Sequence, residues 1–174
     1  IIKAICDNGE FSEVYSDYGK EISAYFARFE GFCAAVLANN GNMSKKAIDK
    51  ASKIVAFCDA FNIPVVTLTN VSGFETSVAN QKTAIHDVAA LSYVFTNATI
   101  PKINVITGTA AGLAGLAFNS KFIGADMVYA WNGANIALFN EDAAKVLGVS
   151  SNNFDEALAK GYVDEVIEPD ETRK

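Results

Sequence analysis

Residues 108–120, GTAAGLAGLAFNS, have the composition of a site that binds an anion through the backbone. Glycines at 108, 112 and 115 alternate with alanine and leucine, so a ligand could approach the main chain closely. A helix that starts here would leave N–H groups unpaired beside the positive end of its dipole. Such amides can stabilise a developing oxyanion without any ionisable side chain. The same small residues would equally allow a helix to pack closely on a sheet, and spacing alone leaves both interpretations open.

Other chemistries find little support in the sequence. The glycine spacing does not match the dinucleotide-binding fingerprint, no Gly-Lys-Ser/Thr follows it, and no Gly-x-Ser-x-Gly elbow is present. We interpret the single histidine, His86, as an ordinary surface residue. Cys6, Cys33 and Cys58 are odd in number and widely spaced, so we expect no metal site and a buried, unreactive Cys58.

Composition indicates one well-packed domain. The chain has 174 residues, of which 51% are hydrophobic and 20% charged. Its net charge of -6 and scattered basic residues argue against a nucleic-acid partner. No apolar run approaches the roughly 20 residues of a membrane span, and the first residues do not resemble a signal peptide, so we expect no membrane insertion and a cytoplasmic location. Because residue 1 is isoleucine, we expect a processed chain or part of a longer one.

The first elements that must position these residues are a hairpin and a helix. Residues 21–40 alternate and then become uniformly apolar, which predicts two strands joined at Glu30-Gly31. Ser44 is the predicted N-cap of the following helix. Seven residues at three- and four-residue spacing form its apolar stripe: Ala47, Ile48, Ala51, Ile54, Val55, Cys58 and Phe61. Three lysines are predicted on the opposite, solvated face: Lys46, Lys50 and Lys53.

The pattern of a strand, a small-residue bend and a helix then occurs twice. VVTLTNV after Pro64 reads as a buried strand that ends at Ser72-Gly73-Phe74, and a helix is predicted over 77–97. KINVIT after Pro101 reads as the next strand, which runs into a tight loop and helix within 108–120. Two short strands with a tight reversal at Asn132-Gly133, two short helices and a last strand complete an α/β chain.

Several long strings resemble one family. FCDAFNIPVVTLTNVSGF (57–74) is similar to the hallmark of biotin-dependent acyl-CoA carboxyltransferases, which include propionyl- and acetyl-CoA carboxylase beta chains and methylmalonyl- and glutaconyl-CoA decarboxylase subunits. NATIPKINVIT, GADMVYAW and GYVDEVIEPDETR resemble later segments of the same family. The resemblance covers nearly the whole chain and falls on the C-terminal, biotin-side half.

The resemblance implies a ClpP/crotonase-like spiral of ββα units, with residues 1–174 forming one C-terminal carboxyltransferase domain. Gly112-Leu113-Ala114 falls on the Gly-Gly-Ala of the family. The amides of Leu113 and Ala114 would then donate to the ureido oxygen of biotin as the catalytic groups. Gly73, Phe74 and Gly112 would line the cofactor pocket.

The same resemblance implies partners. The N-terminal carboxyltransferase half would bind the acyl-CoA substrate, and the assembly would be a homo- or hetero-oligomer based on trimers. A biotin-carrying domain has a lysine between two methionines, and neither Met43 nor Met127 flanks such a lysine. Biotin, as carboxybiotin, would therefore arrive on a separate protein or domain, a biotin carboxyl carrier protein.

Departures from the family pattern keep other functions open. Ser72 replaces a proline, Gly108-Thr109 replaces Arg-Lys, Leu113 replaces a glycine, and Leu116 replaces an acidic residue. The first hypothesis is a half-enzyme that transfers a carboxyl group between carboxybiotin and an acyl-CoA, or decarboxylates one. The second is a degenerate, non-catalytic assembly partner with the same fold. A crotonase-type hydratase is disfavoured because no paired glutamates occur in a glycine-bearing loop.

Overall fold

The structure is a computed structural model that describes residues 1–75, 78–139, 141–150 and 152–173, with residues 78–82 and 141 described by their backbone alone. Six α-helices occur in the described part, in chain order: α1 Ile2–Ile5, α2 Lys45–Phe61, α3 Val78–Asn97, α4 Gly112–Ala117, α5 Glu141–Leu147 and α6 Phe154–Ala159. The same part of the chain has eight strands: β1 Phe11–Val14, β2 Ile22–Phe29, β3 Phe32–Asn39, β4 Val65–Val71, β5 Lys102–Ala111, β6 Met127–Trp131, β7 Asn135–Ala137 and β8 Glu165–Ile167. The α3 helix matches its prediction, except that residue 77 lies outside the described residues.

The strands form one mixed sheet in the order β1-β2-β3-β4-β5-β6-β8, and β7 pairs separately with β5. The β1, β2 and β3 strands pair in antiparallel fashion, whereas all pairings from β3 onward are parallel. The α/β class is therefore as predicted. Helices α2, α3 and α4 bury their apolar faces with β2, β3 and β4 in the main core.

The hairpin forms where the sequence predicts it. Glu30 and Gly31 have φ angles of 51° and 85°, and two positive φ angles are typical of the type I′ turn that joins adjacent strands. A distant carboxylate reinforces the turn, because Asp7 accepts hydrogen bonds from both turn amides at 3.1 and 2.8 Å. Arg173 Nη2 donates to the same carboxylate at 2.7 Å, so this one group joins the chain termini to the hairpin.

The α2 helix begins as predicted but differs on two faces. Ser44 Oγ accepts from the amide of Ala47 at 3.3 Å, as an N-cap should. Phe61, predicted in the buried stripe, is 65% exposed because it lies at the last helical position. Lys50, predicted on the solvated face, is only 1% exposed because its Nζ donates to carbonyl oxygens of the β1–β2 connection. That connection covers the lysine, and burial lowers its pKa.

The predicted reversal at Asn132-Gly133 is wrong. The β6 and β7 strands do not pair with each other; both run parallel to β5, β6 along its first half and β7 along its second. The dipeptide makes a turn, with Ala134 N donating to Trp131 O at 2.9 Å, after which the chain continues in the same direction. The ten-residue β5 supplies a partner for both strands, and this longer-range pairing overrides the local hairpin preference.

A buried lysine also completes the end of α3. Lys102 is 5% exposed, and its Nζ donates to the carbonyl oxygens of Phe95 and Ala98 at 3.0 and 2.7 Å. Carbonyls at a helix C-terminus lack intrahelical partners and carry partial negative charge, so the ammonium group stabilises this end. Throughout the described part of the chain, no helix is long and apolar enough to span a membrane.

Candidate active site

The β5 strand delivers the chain directly into α4. The predicted loop between them is absent, because β5 extends to Ala111 and α4 begins at Gly112. Gly112 has a φ of 56°, in the left-handed region that glycine adopts without steric cost. The strand therefore changes into a helix within a single residue.

The other two glycines of this segment serve close packing. A Cβ at Gly115 would lie 2.7 Å from the carbonyl carbon of Ala110, so α4 sits directly on the β5 backbone. A Cβ at Gly108 would lie 2.5 Å from Asn70 Oδ1, which accepts from the amide of Thr109 at 3.0 Å. Of the two interpretations of the small residues, close packing accounts for Gly108 and Gly115.

A cavity of about 350 Å³ lies beside α4. Gly112, Leu113 and Leu116 of α4 form one wall, and residues of β5, β6, β7 and the α6 region, most of them apolar, form the others. Lys121, Glu156 and Lys160 also line the cavity. Phe122 and Tyr162, whose ring centroids are 4.3 Å apart, also line it and are 60% and 36% exposed. Cavities of this size with mostly apolar walls are typical of small-molecule sites.

Leu113 and Ala114, the predicted donors, lie in the first turn of α4, where backbone amides have no partner one turn back. Among the turn, loop and cap hydrogen bonds of the described residues, neither amide is a donor. Leu113 lines the cavity and remains 54% exposed, whereas the side chain of Ala114 is buried in the main core. The structure thus brings Gly112 and Leu113 to the cavity, whereas Ala114 is not among the residues that line it.

The bend at Gly73 and Phe74, which was predicted to line the cofactor pocket, pairs with another segment of the chain. Met43 N donates to Gly73 O at 3.0 Å, and the amide of Glu75 donates to Met43 O at 2.9 Å, so the bend pairs with the segment before α2. Phe74 is half-buried and packs against the main core. Neither Gly73 nor Phe74 is among the residues that line the cavity beside α4.

The structure also places a buried amide in the cavity wall that the sequence analysis missed. Asn104, in β5, is 2% exposed, and its Oδ1 accepts from the hydroxyls of Thr69 and Thr67 at 2.7 and 3.1 Å. Asn119 Nδ2 donates in turn to Thr67 Oγ1 at 3.0 Å. The available signal was an asparagine in the middle of the apolar strand KINVIT, since a polar residue in a buried run is the informative exception.

Lys121, which lines the cavity, forms an ion pair with Asp164. Lys121 Nζ donates to Asp164 Oδ2 at 2.7 Å, and the amide of Val128 donates to the same oxygen at 2.7 Å. The hydrogen bond from Lys121 lowers the pKa of the Asp164 carboxyl group. This carboxylate ties the segment before β8 to the start of β6.

Cys58 and His86, the other side chains considered for reactivity, do not line the cavity. Cys58 is fully buried, and burial raises the pKa of its thiol to about 12, so it is an unreactive core residue as predicted. The side chain of His86 is 89% exposed, which confirms its interpretation as a surface residue. No cluster of three or more metal-ligating side chains occurs among the described residues.

Comparisons with known proteins identify the fold and the family. The carboxyl transferase domain family matches residues 1–153. The chain is 38% identical to the methylmalonyl-CoA decarboxylase subunit alpha of Veillonella parvula and 34% identical to the human mitochondrial propionyl-CoA carboxylase beta chain. Each alignment covers 99% of this chain, but only 38% and 36% of the respective relative, so the chain spans less than half of their length.

Solved structures agree. The transcarboxylase 12S structure with hydrolysed methylmalonyl-coenzyme A bound superposes with a TM-score of 0.92 at 37% identity, over 99% of this chain and 37% of that one. The geranyl-CoA carboxylase beta subunit of P. aeruginosa, at 20% identity and a TM-score of 0.89 over 99% of this chain and 39% of that one, shares the fold. The expected crotonase-like spiral is confirmed, and the chain belongs to the carboxyl transferase domain family of biotin-dependent enzymes.

Proposed function

We propose that this chain is the biotin-side half of an acyl-CoA carboxyltransferase or decarboxylase, and that residues 1–174 act as one domain. In this function a carboxyl group moves between carboxybiotin and an acyl-CoA. The observation that carries the proposal is the position of Gly112 and Leu113, which form the first turn of α4 and line the cavity. Family membership and the similarity to methylmalonyl-CoA and propionyl-CoA enzymes support it.

The residues around the cavity suit biotin. The cavity has a volume of about 350 Å³ and mostly apolar walls, which match a fused ring system. The amides of Leu113 and Ala114 would hold the ureido oxygen of biotin. When bound, carboxybiotin supplies the carboxyl group and afterwards the base. The chain contributes oriented amides that favour negative charge on that oxygen, and walls that exclude water.

Gly73 and Phe74 are proposed to contact the same cofactor from the end of β4. The half-buried bend retains accessible surface although it lies outside the cavity wall. The acyl-CoA would be bound by an N-terminal carboxyltransferase half, and biotin would be delivered by a carrier protein. A trimer-based oligomer and a cytoplasmic location remain predictions.

Removal of the Leu113 amide tests the proposal. We expect Leu113→Pro to lower kcat for carboxyl transfer by about 10²- to 10³-fold, because the loss of one oxyanion-hole donor has this effect in other enzymes. The assay combines the chain with an acyl-CoA-binding half and a biotinylated carrier protein, with propionyl-CoA as acceptor.

Leu113→Ala is the matched control, because it retains the amide and shortens only the exposed side chain. It should keep kcat within a few-fold of the wild-type value. Circular dichroism and thermal unfolding of both variants establish that the domain still folds. Equal rates for the proline and alanine variants would contradict a role for this amide.

A non-catalytic assembly partner is the second candidate function. Close packing accounts for Gly108 and Gly115, and several apolar side chains near the site are exposed, including Leu113, Phe122 and Leu138. Such surfaces are typical of protein interfaces. A wild-type chain that assembles with the acyl-CoA-binding half but supports no carboxyl transfer would favour this function.

A further inference from the structure

The α4 helix is too short to hold its position without help from the rest of the fold. It has six residues, and no side chain caps its N-terminus. Isolated helices of fewer than about 12 residues are marginal in water, so tertiary contacts must fix where α4 lies. Its buried side chains Ala114 and Ala117 pack in the main core. Apolar packing is non-directional, whereas a hydrogen bond fixes both a distance and a direction.

Asn119 supplies directional contacts at the C-terminal end of α4. It lies just after the helix with a φ of 54°, a left-handed conformation that asparagine adopts more readily than most residues. Asn119 is fully buried, and its Nδ2 donates to Thr67 Oγ1 of β4 at 3.0 Å and to Ile103 O of β5 at 3.1 Å. The end of α4 is therefore hydrogen-bonded to two strands of the sheet.

The orientation of the Asn119 side chain follows from these partners. Ile103 O can only accept, which assigns the NH₂ group to the side that faces the sheet. Asn119 Oδ1 is buried and has no hydrogen-bond partner among the described residues. A buried polar atom without a partner costs free energy, so stability alone does not explain an asparagine at this position. What the side chain supplies is the pair of bonds from Nδ2.

The same network extends to the β5 wall of the cavity. Thr67 Oγ1 lies 3.1 Å from Oδ1 of Asn104, a residue that lines the cavity. Thr69 Oγ1 lies 2.7 Å from the same oxygen. The hydroxyl of Thr67 thus bonds to both Asn104 and Asn119, whereas the hydroxyl of Thr69 bonds to Asn104 but not to Asn119.

We propose that Asn119 and Thr67 are positioning residues, which hold the C-terminal end of α4 on the sheet and thereby fix where the Leu113 and Ala114 amides lie. This inference rests on the proposed function. Neither Asn119 nor Thr67 lines the cavity, so both act through α4 and not by contact with a ligand. Because α4 has fewer than two turns, a shift at its end also moves its first turn. A misplacement of about 1 Å can lower a catalytic rate by about 10²-fold.

Variants of two neighbouring threonines separate positioning from stability. Thr67→Val keeps the shape of the side chain and removes its hydroxyl, and Thr67→Ser keeps the hydroxyl. Thr69→Val is the matched control, because Thr69 is equally buried on the same strand and its hydroxyl does not reach Asn119. Urea denaturation measures the stability of each variant.

Two readouts report on α4 itself. The first is kcat and the KM for propionyl-CoA, with the chain combined with an acyl-CoA-binding half and a biotinylated carrier protein. The second is the pair of amide NMR resonances of Leu113 and Ala114, recorded on the chain alone. These resonances depend on where α4 lies and require no activity.

We expect Thr67→Val to lower kcat about tenfold, the effect of about one lost hydrogen bond, and to shift the two resonances. The KM for propionyl-CoA should not change, since the acyl-CoA is proposed to bind to the other half. Thr67→Ser should retain the wild-type kcat and resonances. Thr69→Val should be destabilised about as much as Thr67→Val, and should nevertheless keep both the rate and the resonances.

Asn119→Gly provides a second variant that removes the anchor from the other side. Glycine adopts the left-handed backbone without cost, so only the side chain is lost. We expect kcat to fall at least as much as in Thr67→Val, because both bonds from Nδ2 disappear. Asn62→Gly is its control, since Asn62 is an exposed C-cap of α2 with a φ of 56°. It should leave kcat and both resonances unchanged.

Equal effects of Thr67→Val and Thr69→Val on kcat, or unchanged Leu113 and Ala114 resonances in both Thr67→Val and Asn119→Gly, overturn the inference. If Leu113→Pro then still lowers kcat, the proposed function stands without it. If the resonances shift as expected but the wild-type chain supports no carboxyl transfer, the positioning of α4 stands and the proposed function fails.

Discussion

Two strand ends of this chain look alike in sequence and differ in structure. The β4 end comprises Ser72, Gly73 and Phe74, and the β5 end comprises Gly112 and Leu113. Both follow a buried strand, both contain glycine, and each precedes a helix. The β4 end pairs with Met43 and packs against the main core, whereas the β5 end forms a cavity wall. A strand, a bend and a helix therefore do not define a ligand site unless the surrounding chain leaves a space.

The largest expected difference is between Gly73 of the β4 end and Gly115, which lies in α4 just after the β5 end. We expect Gly115→Ala, three residues into α4, to lower the free energy of unfolding by about 3 kcal/mol, because the added Cβ would overlap the Ala110 backbone. Gly73→Ala should change it by less than about 0.5 kcal/mol, since the nearest atom to a Cβ there is 3.7 Å away and its φ is not positive. Urea denaturation measures both. Equal losses would show that the two ends are packed alike.

Phe74 tests whether the β4 end stabilises the fold. Phe74→Ala should lower the free energy of unfolding by about 2 kcal/mol, less than for a fully buried phenylalanine, because the ring is half-buried against the main core. Phe74→Leu should recover most of that loss. Phe32, which is 79% exposed, provides the matched control: Phe32→Ala should have little effect on urea denaturation. A loss at Phe74 as small as that at Phe32 would contradict a packing role for this end.

The smallest expected effect is that of changing Asp164, whose ion-pair partner Lys121 lines the cavity near the β5 end. Asp164→Asn should lower the free energy of unfolding by about 1 kcal/mol at pH 7, through loss of the Lys121 pair and weakening of the Val128 bond. Because the folded-state pKa of Asp164 is lowered, its contribution is complete above the unfolded-state pKa of about 3.9 and is lost as the pH falls through the folded-state value. Denaturation at pH 7 and at pH 3 measures the difference between wild type and variant.

Asp170→Asn, at an exposed position, is the control for this pH series. Its curve should follow that of the wild type at both pH values. A difference between wild type and Asp164→Asn that persists unchanged at pH 3 would exclude the ion pair as its source.

The sequence predicted features that depend on neighbouring residues. Ser44 caps α2 and Glu30-Gly31 turns the hairpin, because each depends on local φ angles and on hydrogen bonds within a few residues. The class of the fold followed from the alternation of strands and helices, and the family from strings such as FCDAFNIPVVTLTNVSGF.

Tertiary structure decided the rest. Lys50 is buried because a distant connection covers it, and Asn132-Gly133 makes no hairpin because β5 offers both short strands a partner. The cavity joins α4 to residues up to about 50 positions later in the chain, and Asn104 faces it only through the pairing of β5 with its neighbours. Local sequence determines backbone conformation over a few residues, whereas an enclosed space depends on how distant segments pack against one another.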